Sequence, residues 1–126
     1  MNILFLNSIH EGIWGGGEKW MITTAKGLRD KNHRIWVGGR VDSKFLEKAA
    51  DLGFSTFPLK IGSDFSIPAI LRLAKFFSGN KIDFVLVNFT KEAKLAGLAA
   101  KISGNPLVVS KHGLPILTDK WMDRII

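Results

Sequence analysis

Short apolar runs alternate along this chain with segments whose apolar residues recur at helical spacing. The runs are residues 3–6, 34–39, 54–59, 82–87 and 107–110, and their lengths are typical of buried strands. The segments between them carry an apolar stripe over about 10 to 14 residues, as amphipathic helices do. Strands that alternate with such helices connect by right-handed crossovers, so we expect one parallel sheet with helices on both faces.

Capping and turn residues mark where the predicted helices begin and end. Either Asp42 or Ser43 can cap the second helix, and Gly53 stops it. Ser66 starts the third helix and Gly79 ends it. That helix is expected to bury one side made of Ile67, Ile70, Leu71, Ala74 and Phe77. The predicted fold class is α/β, one Rossmann-like doubly wound parallel sheet of five strands in the order 3-2-1-4-5.

A glycine-rich loop joins the first strand to the first helix. Its three consecutive glycines, Gly15 to Gly17, let the backbone approach a ligand with no Cβ between them. The helix behind them offers free N–H groups and about half a positive charge at its start. We therefore predict an anion site, for a phosphate, at this loop. The alternative is that the glycines only make a tight turn and that Glu18 only complements the helix dipole.

Two familiar phosphate-binding motifs do not fit this loop. A dinucleotide fingerprint that begins at Gly15 needs a glycine where Trp20 stands, and the second strand ends at Arg40 instead of an acidic ribose ligand. A P-loop needs Gly-Lys-Ser or Gly-Lys-Thr, but Glu18 and Lys19 follow the glycines here.

Composition excludes several classes of function. The chain has 126 residues, of which 46% are apolar, enough for one domain with a proper core. It has no cysteine and three scattered histidines, so we expect no metal site and no other cofactor. It lacks an apolar run of the roughly 18 to 20 residues that span a bilayer and begins without a signal-peptide pattern, so we expect a cytoplasmic protein. The net charge of +7 suggests anionic partners.

Polar residues follow the fourth and fifth predicted strands. Asn88 to Lys91 follow the fourth strand, and Ser110 to Gly113 end the fifth. Parallel sheets of this kind bind ligands at the carboxyl ends of their strands, near the switch point between strands 1 and 4. We therefore expect these two segments to meet the glycine loop.

The glycine loop and the end of the fifth strand together resemble a known family. A strand, a loop that ends Gly-Gly-x-Glu at a helix start, and a strand that runs into Ser110-Lys111-His112-Gly113 are similar to the N-terminal domain of GT-B glycosyltransferases. The similarity is to the retaining, nucleotide-sugar-dependent family 4, and it extends over essentially the whole chain. It implies an acceptor-binding N-terminal domain and a second Rossmann-like domain, absent from this chain, that binds most of the donor.

The resemblance implies roles for residues on the donor side. Gly15, Gly16, Gly17 and Glu18 match the loop that comes close to the donor diphosphate or the acceptor. His112 matches a histidine that lies by the donor sugar and positions it or stabilises the transition state, so it is the predicted catalytic residue. The alternative is that His112 is a turn residue that only bonds the backbone.

Other residues are predicted to face the acceptor. Asn88 and Lys91 lie where the resemblance puts acceptor contacts, although Asn88 can instead cap the fourth helix and Lys91 can be solvated. His10 lies in the loop itself. Trp14 can stack on a sugar or pack against its own loop.

The resemblance implies that the whole protein transfers a hexose-type sugar to a glycan or lipid-linked acceptor. We expect the chain to be a fragment of that enzyme, inactive by itself. Lysines concentrated in the second half suit docking on an anionic inner membrane face, whereas no nucleic-acid-binding pattern accompanies the charge. An uncovered cleft face is expected to let the fragment self-associate through Ile13, Trp14, Leu114, Ile116 and Leu117. The alternative function is a non-catalytic Rossmann-like module that binds a nucleotide or phosphate.

Overall fold

The structure is a computed structural model, and it describes residues 1–7, 15–41, 43–60, 67–88, 90–104 and 107–110. Strands and helices alternate along the chain. They are β1 (Asn2–Asn7), α1 (Gly16–Asp30), β2 (Arg34–Arg40), α2 (Lys44–Asp51), β3 (Ser55–Leu59), α3 (Ile67–Gly79), β4 (Phe84–Val87), α4 (Thr90–Ser103) and β5 (Leu107–Ser110).

The five strands form one parallel sheet in the order β3-β2-β1-β4-β5. This confirms the predicted fold class and strand order. Strand β1 lies at the centre, and the chain builds outward from it first through β2 and β3, then through β4 and β5. The order therefore reverses between β1 and β4, which is the switch point where sheets of this type bind ligands.

Helices cover both faces of the sheet. Alternate residues of β1 point to opposite faces, because side chains of a strand alternate. Ile3 and Phe5 pack with α1 and α2, whereas Leu4 and Leu6 pack with α3 and α4. All four side chains are fully buried. This two-sided burial explains why β1 is a continuous apolar run in the sequence.

Helix ends follow local chemistry. Ser43 resolves the choice of cap for α2, since its Oγ accepts a hydrogen bond from the Leu46 N–H at 3.2 Å. Gly53 follows α2 with φ +84°, a conformation that glycine adopts without strain. None of the helices in the described part of the chain has the length and apolarity needed to cross a bilayer.

The apolar side predicted for α3 is wrong at two positions. Ile67 is 68% exposed and Leu71 is 54% exposed, while Ala69 and Leu73 are buried in their place. Leu71 lies one residue past Ile70 and is rotated off the buried stripe by the helical period of 3.6. Ile67 is the first residue of the helix, where the chain has not yet packed onto the sheet.

Candidate functional site

Two asparagines lie side by side at the switch point. In the pairing of β1 with β4, Leu6 is opposite Val87, so the residues that follow them, Asn7 and Asn88, emerge together at the carboxyl ends of the strands. Asn7 is fully buried and Asn88 is 4% exposed. Two amide side chains removed from water at this point need hydrogen-bond partners.

A buried carboxylate supplies the acceptor for both asparagines. The Oε2 atom of Glu18 accepts from Nδ2 of Asn7 at 3.1 Å and from Nδ2 of Asn88 at 3.3 Å. Its Oε1 atom accepts from the backbone N–H of Gly15 at 3.0 Å. Glu18 is only 3% exposed. We call Asn7, Glu18 and Asn88 the Glu18 clasp, because together they tie the ends of β1 and β4 to the start of α1.

A second buried carboxylate fixes the backbone of the clasp. Glu92, in the first turn of α4, is fully buried, and its Oε1 accepts from the backbone N–H of Asn88 at 3.1 Å. Asn88 is therefore held by a carboxylate at its backbone and by another at its side chain. The side-chain amide of Asn88 donates to Glu18. The two alternatives predicted from the sequence were contact with the acceptor and a cap on the fourth helix.

Among the residues that the structure describes, no side chain caps the N-terminus of α1. Gly15 is the N-cap residue, with an extended backbone, and it has no side-chain oxygen to offer the helix. The first intrahelical bond runs from the Lys19 N–H to the Gly15 carbonyl at 3.1 Å. The N–H groups of Gly16, Gly17 and Glu18 precede it and so have no acceptor within the helix. Together with the helix dipole, they form a donor set suited to an anion.

The space around Gly16 and Gly17 differs. A Cβ added at Gly16 would meet no atom of the described residues within 4 Å apart from its own helix backbone, and Gly16 is exposed. A Cβ added at Gly17 would lie 2.7 Å from Nδ2 of Asn88. Gly17 is therefore small because the Glu18 clasp occupies the adjoining volume, whereas Gly16 leaves room that a ligand can enter.

A sequence comparison identifies the family of this chain. The family model for Glycosyltransferase Family 4 matches residues 14–125. The chain belongs to glycosyltransferase family 4. Among curated protein sequences, none matches this family 4 chain at a significant level.

Solved structures share the fold of this family 4 chain. HepE from Anabaena, solved in complex with UDP, has 24% identity and a TM-score of 0.69 over 87% of this chain and 29% of its own. MurG from Acinetobacter baumannii has 15% identity and a TM-score of 0.69 over 98% of this chain and 39% of its own. A glycosyltransferase from Rickettsia africae has 18% identity and a TM-score of 0.66 over 86% of this chain and 28% of its own. The family 4 chain thus spans between 28% and 39% of the length of these proteins.

The structure brings some of the predicted site residues together. Gly15, Gly16, Gly17 and Glu18 at the start of α1 meet Asn88 after β4, as the strand-tip argument predicted. Lys91 lies in the first turn of α4, and its side chain falls outside the description. Other predicted residues lie outside the described part of the chain: His10, Trp14 and His112 of the site, and Ile13, Leu114, Ile116 and Leu117 of the cleft face.

Two buried residues at this site, Asn7 and Glu92, had no role predicted from the sequence. A polar residue directly after the apolar run 3–6 was a visible signal, because it had to lie at the carboxyl end of the central strand. In the described part of the chain, His, Asp and Glu side chains form no group of three that could hold a metal ion.

Proposed function

We propose that this family 4 chain is the N-terminal, acceptor-side domain of a nucleotide-sugar-dependent glycosyltransferase, and that the start of α1 binds the diphosphate of the donor. The observation that carries the proposal is the start of α1, which lies at the switch point of the sheet, has a glycine as its N-cap residue and exposes Gly16. Family membership supports the activity. The structures of HepE with UDP and with UDP-glucose support the choice of UDP as a probe.

The chemistry explains why a donor set at this position is useful. In sugar transfer, the bond between the anomeric carbon and the diphosphate oxygen breaks as the acceptor oxygen bonds to that carbon, and the proton of the acceptor hydroxyl is released to solvent. Negative charge then grows on the leaving diphosphate. Preorganised N–H groups and the positive end of a helix stabilise such charge without reorganising during the reaction.

The remaining predicted residues complete the proposal. His112 serves as the catalytic residue beside the donor sugar, and His10, Trp14 and Lys91 contact a glycan or lipid-linked acceptor. Because transfer needs the donor and the acceptor held together between two domains, residues 1–126 by themselves bind ligand without turnover. No metal or other cofactor is part of the proposed reaction.

A surface patch on α4 supports peripheral contact with an anionic membrane on the cytoplasmic side. Lys94, Leu98 and Lys101 follow one another at intervals of four and three residues, Ile102 lies four residues after Leu98, and all four are exposed. Leu98 is 37% exposed and Ile102 is 61% exposed, so apolar and cationic groups share one face. We call these four residues the α4 patch. Such a face suits a headgroup layer, where apolar side chains insert and lysines meet anionic lipid.

Replacing Gly16 with alanine tests the diphosphate site. Gly16→Ala adds one methyl group to open space in the first turn of α1. If the donor diphosphate approaches this backbone, the methyl group displaces it, and UDP affinity falls by about tenfold, the factor that one hydrogen bond to a charged group supplies. Stability does not fall, since alanine in place of an unstrained helical glycine gains up to about 1 kcal/mol. NMR titration with UDP and urea unfolding measure the two quantities.

Gly97→Ala is the matched control. Gly97 lies within α4, and a Cβ there also meets no atom within 4 Å. It should gain similar stability and keep the affinity for UDP. Equal UDP affinity in Gly16→Ala and Gly97→Ala would show that the diphosphate does not bind at the start of α1.

A further inference from the structure

The Glu18 clasp joins parts of the chain that are far apart in sequence. Asn7 and Glu18 are 11 positions apart, and Glu18 and Asn88 are 70 positions apart. The clasp therefore forms only when β1 and β4 are paired and α1 is docked against them. It is also adjacent to the glycines, since its Oε1 atom holds the Gly15 N–H and its Asn88 partner adjoins Gly17.

The position of the Glu18 charge matters for an anion at the start of α1. A carboxylate in the first helical turn competes with a bound anion for the helix N-terminus. Here the carboxylate is buried, and both of its oxygens are bound by protein donors, so its charge is held on the sheet side of the loop. Gly16, in contrast, is exposed on the open side. Without the two amides, the buried charge would be left short of donors and the first turn would lose its anchor.

We propose that Asn7 and Asn88 are positioning residues for the donor site: through Glu18 they fix the first turn of α1 so that its N–H groups, which have no acceptor within the helix, face the ligand. This rests on the proposed function, because it assigns a task to residues behind the diphosphate site. It differs from the role predicted for Asn88 from the sequence, which was direct contact with the acceptor. The Nδ2 group of Asn88 is directed at Glu18, behind Gly17.

The test exchanges donor and acceptor across the clasp. Asn88→Asp places a carboxylate against Glu18, with Glu92 bonded to the same residue, so three acidic groups converge. Glu18→Gln presents an amide to the amide of Asn88. The double variant Glu18→Gln/Asn88→Asp restores one donor facing one acceptor and keeps the net charge of the wild-type pair. Asn32→Asp is the control, because Asn32 is exposed at the far end of α1 and undergoes the same chemical change.

The Gly15 amide reports on the clasp without any ligand. Its N–H donates to Glu18, so its NMR shift follows the protonation of that carboxylate. In Asn88→Asp, two carboxylates lie against each other and repel, so the Gly15 shift of this variant should change as the pair takes up a proton when the pH is lowered from 8 to 5. Each UDP affinity is compared with that of the wild-type protein at the same pH, because UDP itself ionises in this range.

UDP affinity then separates a positioning role from a structural one. At pH 8, Asn88→Asp should bind UDP about tenfold more weakly than the wild type, and the difference should shrink as the pair takes up a proton at lower pH. The double variant should recover most of the affinity at pH 8, and Asn32→Asp should keep all of it. Melting temperatures measured on the same samples show that each variant is folded.

Three results would overturn the proposal. One is a Gly15 shift that titrates in Asn88→Asp while UDP affinity at pH 8 stays at the wild-type value. Another is a double variant that binds UDP no better than Asn88→Asp. The third is a wild-type protein that does not bind UDP. That result would contradict the proposed function and, with it, the positioning role. The Gly15 titration in Asn88→Asp would still show whether the Glu18 clasp forms.

Discussion

Gly17 shows that packing by itself can require a glycine in this loop. The sequence suggested that all three glycines are small for the sake of a ligand. At Gly17 the nearest group is Nδ2 of Asn88, a side chain that is 4% exposed and bonded to Glu18. A methyl group at this position has to displace a buried amide from its acceptor.

Gly17→Ala should therefore destabilise the protein, in contrast to Gly16→Ala. Overpacking of this kind costs about 1 to 3 kcal/mol, more than the gain from replacing a helical glycine. Urea unfolding of the two variants measures the difference. An unfolding free energy for Gly17→Ala equal to that of Gly16→Ala would show that Asn88 moves aside without cost.

His33 makes stability depend on pH. Its Nδ1 atom lies 3.0 Å from the N-terminal ammonium, and its Nε2 atom is buried without a hydrogen-bond partner. Desolvation by burial lowers the pKa of His33 below its ordinary value of 6.5, and the charges of the N-terminus and Lys31 lower it further. The unfolded chain therefore binds a proton at a higher pH than the folded one.

Stability from His33 should be fully present above pH 6.5 and should be lost as the pH falls toward the pKa of the folded state. His33→Gln cannot take up this proton. We expect the unfolding free energy of the wild type to drop between pH 7.5 and pH 5.5 by more than that of the variant, as measured by urea unfolding. Parallel pH profiles of the two proteins would show that His33 is not responsible.

Side-chain partners across the sheet were the hardest features to predict. Glu18 was recognised as a helix-start residue, but its bonds to Asn7 and Asn88 depend on the register of β1 against β4. Sequence spacing does not contain that register. The amide of Asn88 was therefore predicted to face the acceptor or cap a helix, and Asn7 was given no role of its own.

The boundaries of the elements were predicted to within a few residues. Phe54 and Ile82 were placed in strands, but β3 begins at Ser55 and β4 at Phe84. Both side chains are buried nevertheless, so the apolar run continues beyond the paired backbone. The pattern of apolar residues indicates which side chains are buried. The boundary of a strand or helix depends on backbone hydrogen bonds, which that pattern does not determine.

The α4 patch gives a prediction at the level of one helix. Vesicles that contain phosphatidylglycerol should sediment with the wild-type protein, and vesicles of phosphatidylcholine should not. Lys94→Glu/Lys101→Glu should weaken binding to the anionic vesicles by about 2 kcal/mol or more, roughly thirtyfold, because each lysine near such a surface contributes about 1 kcal/mol. Cosedimentation measures the partition coefficient.

Lys26→Glu/Lys44→Glu is the control for that experiment, since it makes the same change of charge on α1 and α2, the helices on the opposite face of the sheet. Lys26 and Lys44 are exposed as well. If this variant loses as much binding as the α4 variant, net charge alone governs association and the α4 patch is not the docking face.

The topology of the whole molecule was predictable because it depends on few choices. Alternation of strands and helices requires a parallel sheet, and right-handed crossovers leave few orders for five strands. The observed order β3-β2-β1-β4-β5 places the glycine-rich start of α1 beside the end of β4. The meeting of the start of α1 with the end of β4 therefore followed from the sequence, whereas the hydrogen bonds of the Glu18 clasp did not.

The most direct test of the account is to find which amides respond to UDP in the wild-type chain. In an NMR titration of the isotope-labelled protein, UDP should shift the backbone amides of Gly16, Gly17 and Glu18 in a saturable manner. Uridine, which lacks the diphosphate, should leave these amides unchanged, because the helix N-terminus binds the charged group. The account would be contradicted if UDP left the start of α1 unchanged, or if uridine produced the same shifts there.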